Sequence, residues 1–285
     1  MEARKKGTVQ IQSKSEMERL IAQAEKEKSV TNSLGKIKNK LLVMSGKGGV
    51  GKTSVSVNLS IALANMGYRV GLMDVDIHGP DVPRMLGLNG MLDFGESNKL
   101  SPMRYSENLR AVSIESLIVN KDDAIIWRGP MKNSIIKQFL GEVGWGDLDY
   151  LVIDSPPGTG DEPLTIAQTI SDVKAVIVTT PQEVSLADVR KSISFCRTVK
   201  MEILGLIENM SGFICPHCSQ GVDLFGSGGG ERTAKAAGIN FIGKIPFDPK
   251  VVSCGDAGES LQEKYEGSPT SAAFAEIARK IADIC

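Results

Sequence analysis

Eight consecutive residues, Gly46-Lys47-Gly48-Gly49-Val50-Gly51-Lys52-Thr53, put four glycines, two ammonium groups and a hydroxyl on one short stretch. The stretch satisfies G-x-x-x-x-G-K-[ST], follows the apolar run Leu41 to Met44, and opens a helical pattern at Val57, Ile61 and Ala64. Its chemistry is phosphate binding. Glycines let successive backbone N–H groups turn inward around an anion, and a helix N-terminus adds partial positive charge. Lys52 neutralises the outer phosphates and Thr53 ligates Mg2+.

The same glycines, Gly46, Gly48 and Gly51, also satisfy the dinucleotide pattern G-x-G-x-x-G, with Asp74 ending the next strand where a ribose-binding acid would sit. A dinucleotide site has no use for the Lys-Thr pair, nor for an acid ending a later strand. Tyr150-Leu151-Val152-Ile153-Asp154 supplies that acid, and Asp154 is expected to hold Mg2+ through water. A nucleoside triphosphate is therefore the expected ligand. Asn120-Lys121-Asp122-Asp123 spells a guanine-reading motif, yet it precedes the acid-bearing strand instead of following later ones. It is read as coincidental, and ATP is favoured.

A second chemistry resides in Cys215-Pro216-His217-Cys218. Two thiolates make half of a closed zinc or iron–sulfur site, which takes four ligands. Cys196 and Cys254 lie 19 residues before and 36 after the pair, and neither belongs to a second C-x-x-C. Zinc and iron–sulfur stand even on spacing alone. An isologous dimer would supply four sulfurs from two copies of one turn. His217 and His78 are read as turn residues, and Cys254 and Cys285 as bystanders.

These groups need a scaffold. Apolar runs at Leu41–Met44, Val70–Met73, Tyr150–Ile153, Ala175–Val178, Ile203–Ile207 and Phe241–Ile245 alternate with helical stretches. Continuous apolar strands are buried on both faces, which predicts an α/β fold: a doubly wound, mostly parallel sheet flanked by helices. Leu86 to Met131 reads as an elaboration with one strand at Ala111–Ile114, and Gly226, Gly228, Gly229 and Gly230 as a mobile loop leading into a helix. Residues 1–38 form a short amphipathic helix, begun by Ser15 and Glu18 as a capping box, and a solvated linker; residues 39–285 form the domain. The final helix (Phe274, Ile277, Ile281) is expected to pack on the domain.

Lys and Arg number 33 against 34 Asp and Glu, so no global field attracts a polyanion, and nucleic acid is not an expected partner. No uninterrupted apolar run exceeds four residues, far short of the ~20 that span a membrane. With no apolar segment after Arg4, Lys5 and Lys6, the chain reads as cytoplasmic.

The extra lysine, Lys47, together with Asp74-Val75-Asp76 on the next strand, resembles the deviant Walker-A ATPases of the MinD/ParA/nitrogenase-iron-protein class. That resemblance implies that Lys47 reaches the phosphates of the facing subunit in an ATP-bound homodimer and that Asp76 orients the attacking water. Asp76-Ile77-His78-Gly79-Pro80, Asp154-Ser155-Pro156-Pro157-Gly158-Thr159-Gly160-Asp161, Glu208-Asn209-Met210 and the cysteine pair narrow it. Together they resemble the Mrp/ApbC-type iron–sulfur cluster carrier ATPases over roughly Leu41 to the C-terminus. Membership implies Asn209 at the adenine, a [4Fe-4S] cluster held by Cys215 and Cys218 across a homodimer, and apo iron–sulfur proteins as acceptors. The rival readings are a MinD/ParA-like positioning ATPase on membrane or DNA, and a zinc-stabilised nucleotide switch.

Overall fold

Every apolar run read as a strand is a strand in the computed structural model, which describes residues 14–77, 79–95, 99–117, 129–215, 218 and 220–285. The chain begins with α1 (Lys14–Leu34), β1 (Ile37–Ser45), α2 (Lys52–Asn65), β2 (Val70–Asp74) and α3 (Val82–Met85). There follow β3 (Met103–Arg104), β4 (Leu109–Ser113), α4 (Gly129–Glu142), β5 (Leu148–Asp154) and α5 (Asp161–Thr169). Next come β6 (Val173–Thr179), α6 (Glu183–Thr198), β7 (Glu202–Glu208), β8 (Phe213–Ile214), β9 (Gly221–Val222) and α7 (Gly229–Ala237). The chain closes with β10 (Phe241–Lys244), α8 (Pro249–Ala257), α9 (Leu261–Lys264) and α10 (Pro269–Ile284).

Eight strands make one sheet in the order β10-β7-β6-β1-β5-β2-β4-β3, parallel throughout except for the antiparallel edge pair β3–β4. Side chains alternate along each strand, so Leu41 and Val43 face a core layer shared with α2 and α10, while Leu42 and Met44 face one shared with α4 and α6. Burying each such side chain contributes about 1.5–3 kcal/mol. Phe274, Ile277 and Ile281 of α10 are buried in the first layer, as their spacing predicts. Among the described residues, no helix is long and apolar enough to cross a membrane.

Three features depart from the sequence reading. The N-terminal helix runs 21 residues, with Ser15 in its first turn instead of ahead of it. Its second half docks on α4: the Ser29 hydroxyl donates to the Gly141 carbonyl at 2.8 Å, and Val30 is buried against Gly141, where a side chain would crowd it. The first strand starts at Ile37, ahead of the boundary drawn after residue 38. The cysteine turn sits on a hairpin, β8 pairing antiparallel with β9, that the sequence pattern does not announce.

Candidate functional site

The central position of β1, between β5 and β6, places the loop that follows it beside the ends of both neighbours. Gly49 and Gly51 hold φ of 78° and 79°, the left-handed conformation that glycine adopts without strain. A side chain at Gly51 would overlap the Asn209 amide, and one at Gly46 would overlap the backbone of Asp188 on α6. Close approach on two sides thus forces glycine at both positions. The loop feeds α2, a 14-residue helix starting at Lys52, so the phosphate-binding geometry predicted from spacing is present.

Lys52, Thr53, Asp76 and Asp154 converge. The buried Lys52 ammonium donates to Asp154 Oδ2 at 2.7 Å, and Asp76 Oδ2 lies 3.8 Å from it. Thr53 Oγ1 donates to the same Asp154 oxygen at 2.9 Å, while Ser56 Oγ donates to Asp154 Oδ1 at 2.6 Å. Strand register explains the acids: β2 pairs with β5 so that Asp74 stands directly opposite Asp154. Asp74 accepts from the Asp76 N–H at 3.0 Å and from Ser113 Oγ at 2.9 Å, which ties down the start of the loop carrying Asp76. Burial, and then the charge of Asp154, hold the Asp74 carboxyl well above the usual carboxylate range.

Two carboxylates, Asp76 and Asp154, therefore flank one ammonium, with the Asp74 carboxyl buried behind them. That excess of negative charge, with the Thr53 hydroxyl against an Asp154 oxygen, suits a hard divalent cation and its oxygen ligands. Lys47 is half-buried on the loop, its carbonyl accepting from Ser45 Oγ at 3.0 Å. Asn209 abuts the loop from the far side, its Nδ2 donating to the Val50 carbonyl at 2.9 Å. The Ser155–Gly160 segment closes over the strand end through the Gly158 N–H to the Ser45 carbonyl, 2.8 Å.

Cys215 and Cys218 lie on the β8–β9 hairpin, Cys215 half-buried and Cys218 exposed, with the Cys215 N–H donating to the Gln220 carbonyl at 3.0 Å. No disulfide joins any of the five cysteines. Cys196 packs against Met44 in the α4–α6 layer, where burial pushes its thiol up to about 12, and Cys254 is buried in the opposite layer. The sheet thus separates these two thiols from each other. Among the described residues, no three or more His, Cys, Asp or Glu side chains are grouped so as to hold a metal ion by themselves. His78, His217 and Asn120 to Asp123 lie outside the described residues.

Ser56 escaped the sequence reading, and Glu208 entered it only inside a motif, without a role. Ser56 follows Lys52 by four positions, on the same face of α2, a spacing that could have flagged it. Glu208 is fully buried and accepts from Ser211 Oγ and from the N–H groups of Gly228 and Gly230. No local pattern signals it, because its partners lie 20 and 22 residues on. The same contacts correct the expected mobility of the glycine-rich stretch: Gly228 and Gly230 are bonded to a buried carboxylate at the start of α7.

Residues 36–282 match the family model described as ParA: NUBPL iron-transfer P-loop NTPase. The chain is 48% identical over 236 residues to an iron-sulfur cluster carrier protein of Methanocaldococcus jannaschii, covering 82% of this chain and 81% of the relative. It is 42% identical to the human cytosolic Fe-S cluster assembly factor NUBP2, covering 88% and 94%. A nucleotide-binding protein from Archaeoglobus fulgidus, solved in complex with ADP, superposes with a TM-score of 0.75 at 38% identity, covering 87% of this chain and 96% of that one. Phosphate loop, strand-end acids and the extent of these matches agree, and the chain belongs to the NUBPL-type iron-transfer P-loop NTPases of the ParA class.

Proposed function

We propose that the chain is an ATP-binding, slowly hydrolysing homodimer of the cytoplasm that carries a [4Fe-4S] cluster on Cys215 and Cys218 and delivers it to apo-proteins. One observation carries the reading. A phosphate loop with its buried Lys52–Asp154 pair and an exposed hairpin bearing two cysteines stand at the same end of one sheet, and Asn209, which abuts that loop, precedes Cys215 by only six residues. Ligands of open α/β sheets gather at that end.

In this reading Gly46 to Thr53 hold the triphosphate and Asn209 meets the adenine. Thr53 and Asp154 hold Mg2+, which when bound offsets charge on the phosphates. Asp76 orients the water that attacks the γ-phosphorus, and Lys52, with Lys47 of the partner subunit, stabilises charge as the bond to ADP breaks. Each chain offers two thiolates, so the cluster, as cargo, needs two chains.

The test is anaerobic reconstitution of wild type beside Cys215→Ala and Cys218→Ala, followed by metal and acid-labile sulfide analysis. Wild type should hold about two irons and two sulfides per chain, as one shared cluster requires, and either variant should hold almost none. Zinc without sulfide in the wild type would instead support a zinc-stabilised switch. ATP-dependent sedimentation with liposomes or DNA would support a positioning ATPase.

A further inference from the structure

The residues that carry the cysteines make an excursion from the domain, leaving it at Ser211 and returning at Gly228. Its departure is tightly shaped. Met210 and Gly212 hold φ of 56° and 73°, the Ser211 N–H donates to the Ile245 carbonyl at 2.9 Å, and the Phe247 N–H donates to the Gly212 carbonyl at 2.8 Å. A non-glycine residue with positive φ at Met210 costs energy that its surroundings must offset. Beyond that bend, Phe213 and Phe225, on opposite sides of the hairpin, both pack edge-on against Phe247. The hairpin is thereby braced on both of its sides against Phe247 of the domain.

One side chain grips both feet. Glu208 Oε1 accepts from Ser211 Oγ on the outgoing foot and from the Gly228 N–H, at 2.8 Å, on the returning foot. Glu208 Oε2 accepts from the Gly230 N–H in the first turn of α7, where the helix N-terminus favours a carboxylate. Ser211 Oγ and Ser227 Oγ, 3.2 Å apart, close the neck between the feet. Gly230 is packed so closely against Leu206 and Glu208 that a side chain there would crowd the carboxylate. The next residue after Glu208 is Asn209, whose amide holds the phosphate loop at Val50 and whose N–H is fixed to the Thr179 carbonyl at 2.7 Å.

We propose that Glu208 is the positioning residue that couples nucleotide to cargo: its carboxylate transmits displacement of Asn209 to both feet of the cysteine-bearing excursion, shifting them against the Phe247 brace. The proposal rests on the reading of Asn209 as the base contact and of the cysteines as the cargo site. The Glu208 carboxylate itself bonds Ser211, Gly228 and Gly230 and is no ligand of nucleotide or cargo in that reading. Both carboxylate oxygens accept from a backbone N–H, so in either orientation Glu208→Gln turns its NH2 toward the N–H of Gly228 or of Gly230, and the bonds that remain lose their charge; the grip on the returning foot is weakened without a change of size.

The experiment uses the full chain, wild type beside Glu208→Gln and Ser211→Ala, with two readouts. The first needs no cluster: amide hydrogen exchange of residues 213–226 with and without ATP. Wild-type protection should change at least threefold on ATP addition, whereas Glu208→Gln should bind a fluorescent ATP analogue within about threefold of wild type and show no ATP-dependent change. The second is the rate of iron release to a chelator from reconstituted protein, as a ratio with and without ATP; that ratio should collapse to about one in Glu208→Gln. Ser211→Ala frees only the outgoing foot and should at least halve both effects, which keeps the test decisive if Glu208→Gln does not fold. Wild-type response to ATP in a folded, nucleotide-binding variant would overturn the proposal, as would a wild-type excursion indifferent to ATP. Failure of the wild type to load any cluster, with the exchange result intact, would refute the cargo reading and leave the coupling standing.

Discussion

Lys47 and Lys52 are identical side chains five residues apart with different physical fates. Lys52 is buried against Asp154, so Lys52→Ala strands a buried carboxylate that keeps only the Thr53 and Ser56 hydroxyls. Breaking such a pair costs about 3 kcal/mol or more, to be read in urea unfolding alongside loss of ATP binding. Lys47 is half-buried on the loop, and Lys47→Ala should stay within about 0.5 kcal/mol of wild type while hydrolysis falls at least tenfold. Equal destabilisation of the two variants would show that the buried pair adds little. Asp74 makes a prediction of opposite sign. An acid whose folded pKa is raised, here by burial and then by Asp154, contributes stability that is complete below its unfolded value near 4 and is lost as pH rises through the raised value. Wild type should therefore lose stability relative to Asp74→Asn as pH increases above about 4. A pH-independent difference in denaturation midpoints would contradict this assignment.

At the scale of elements, α6 is part of the phosphate site without touching a phosphate. Its Asp188 backbone lies against Gly46, and backbone cannot rotate aside as a side chain can. Gly46→Ala should cost roughly 1–3 kcal/mol in overpacking and weaken ATP binding at least tenfold by lifting the loop. Calorimetric titration showing wild-type affinity would remove α6 from the site. The strands and the phosphate loop were legible because their signals are local: apolar runs of fixed length, and glycines at fixed offsets. Asn209 and Asp76 were legible only through a resemblance, since neither belongs to a local pattern that names a ligand. Glu208 was legible only inside a motif, and its role was illegible because two of its three donors are backbone N–H groups 20 and 22 residues along the chain, and backbone groups leave no mark in residue types. The β8–β9 hairpin was missed for a related reason: each strand has two residues, too short for alternation to show.

For the whole molecule, the proposed assembly has a simple measurable consequence. Protein reconstituted with iron and sulfide should show twice the mass of one chain by light scattering, and Cys215→Ala treated identically should remain at the mass of one chain unless ATP is present. Full cluster loading on a single chain would refute the shared site. How two copies can meet is also restricted by the ends of the sheet. At one margin β3 offers only two residues, turned antiparallel; at the other, β10 offers four, and Lys280 of α10 reaches over to donate to the Ile242 carbonyl at 3.0 Å. Such blunted margins discourage strand-to-strand growth into a continuous ribbon. Self-recognition is steered away from open-ended stacking and toward the rim of loops, where a closed pair is the natural stopping point.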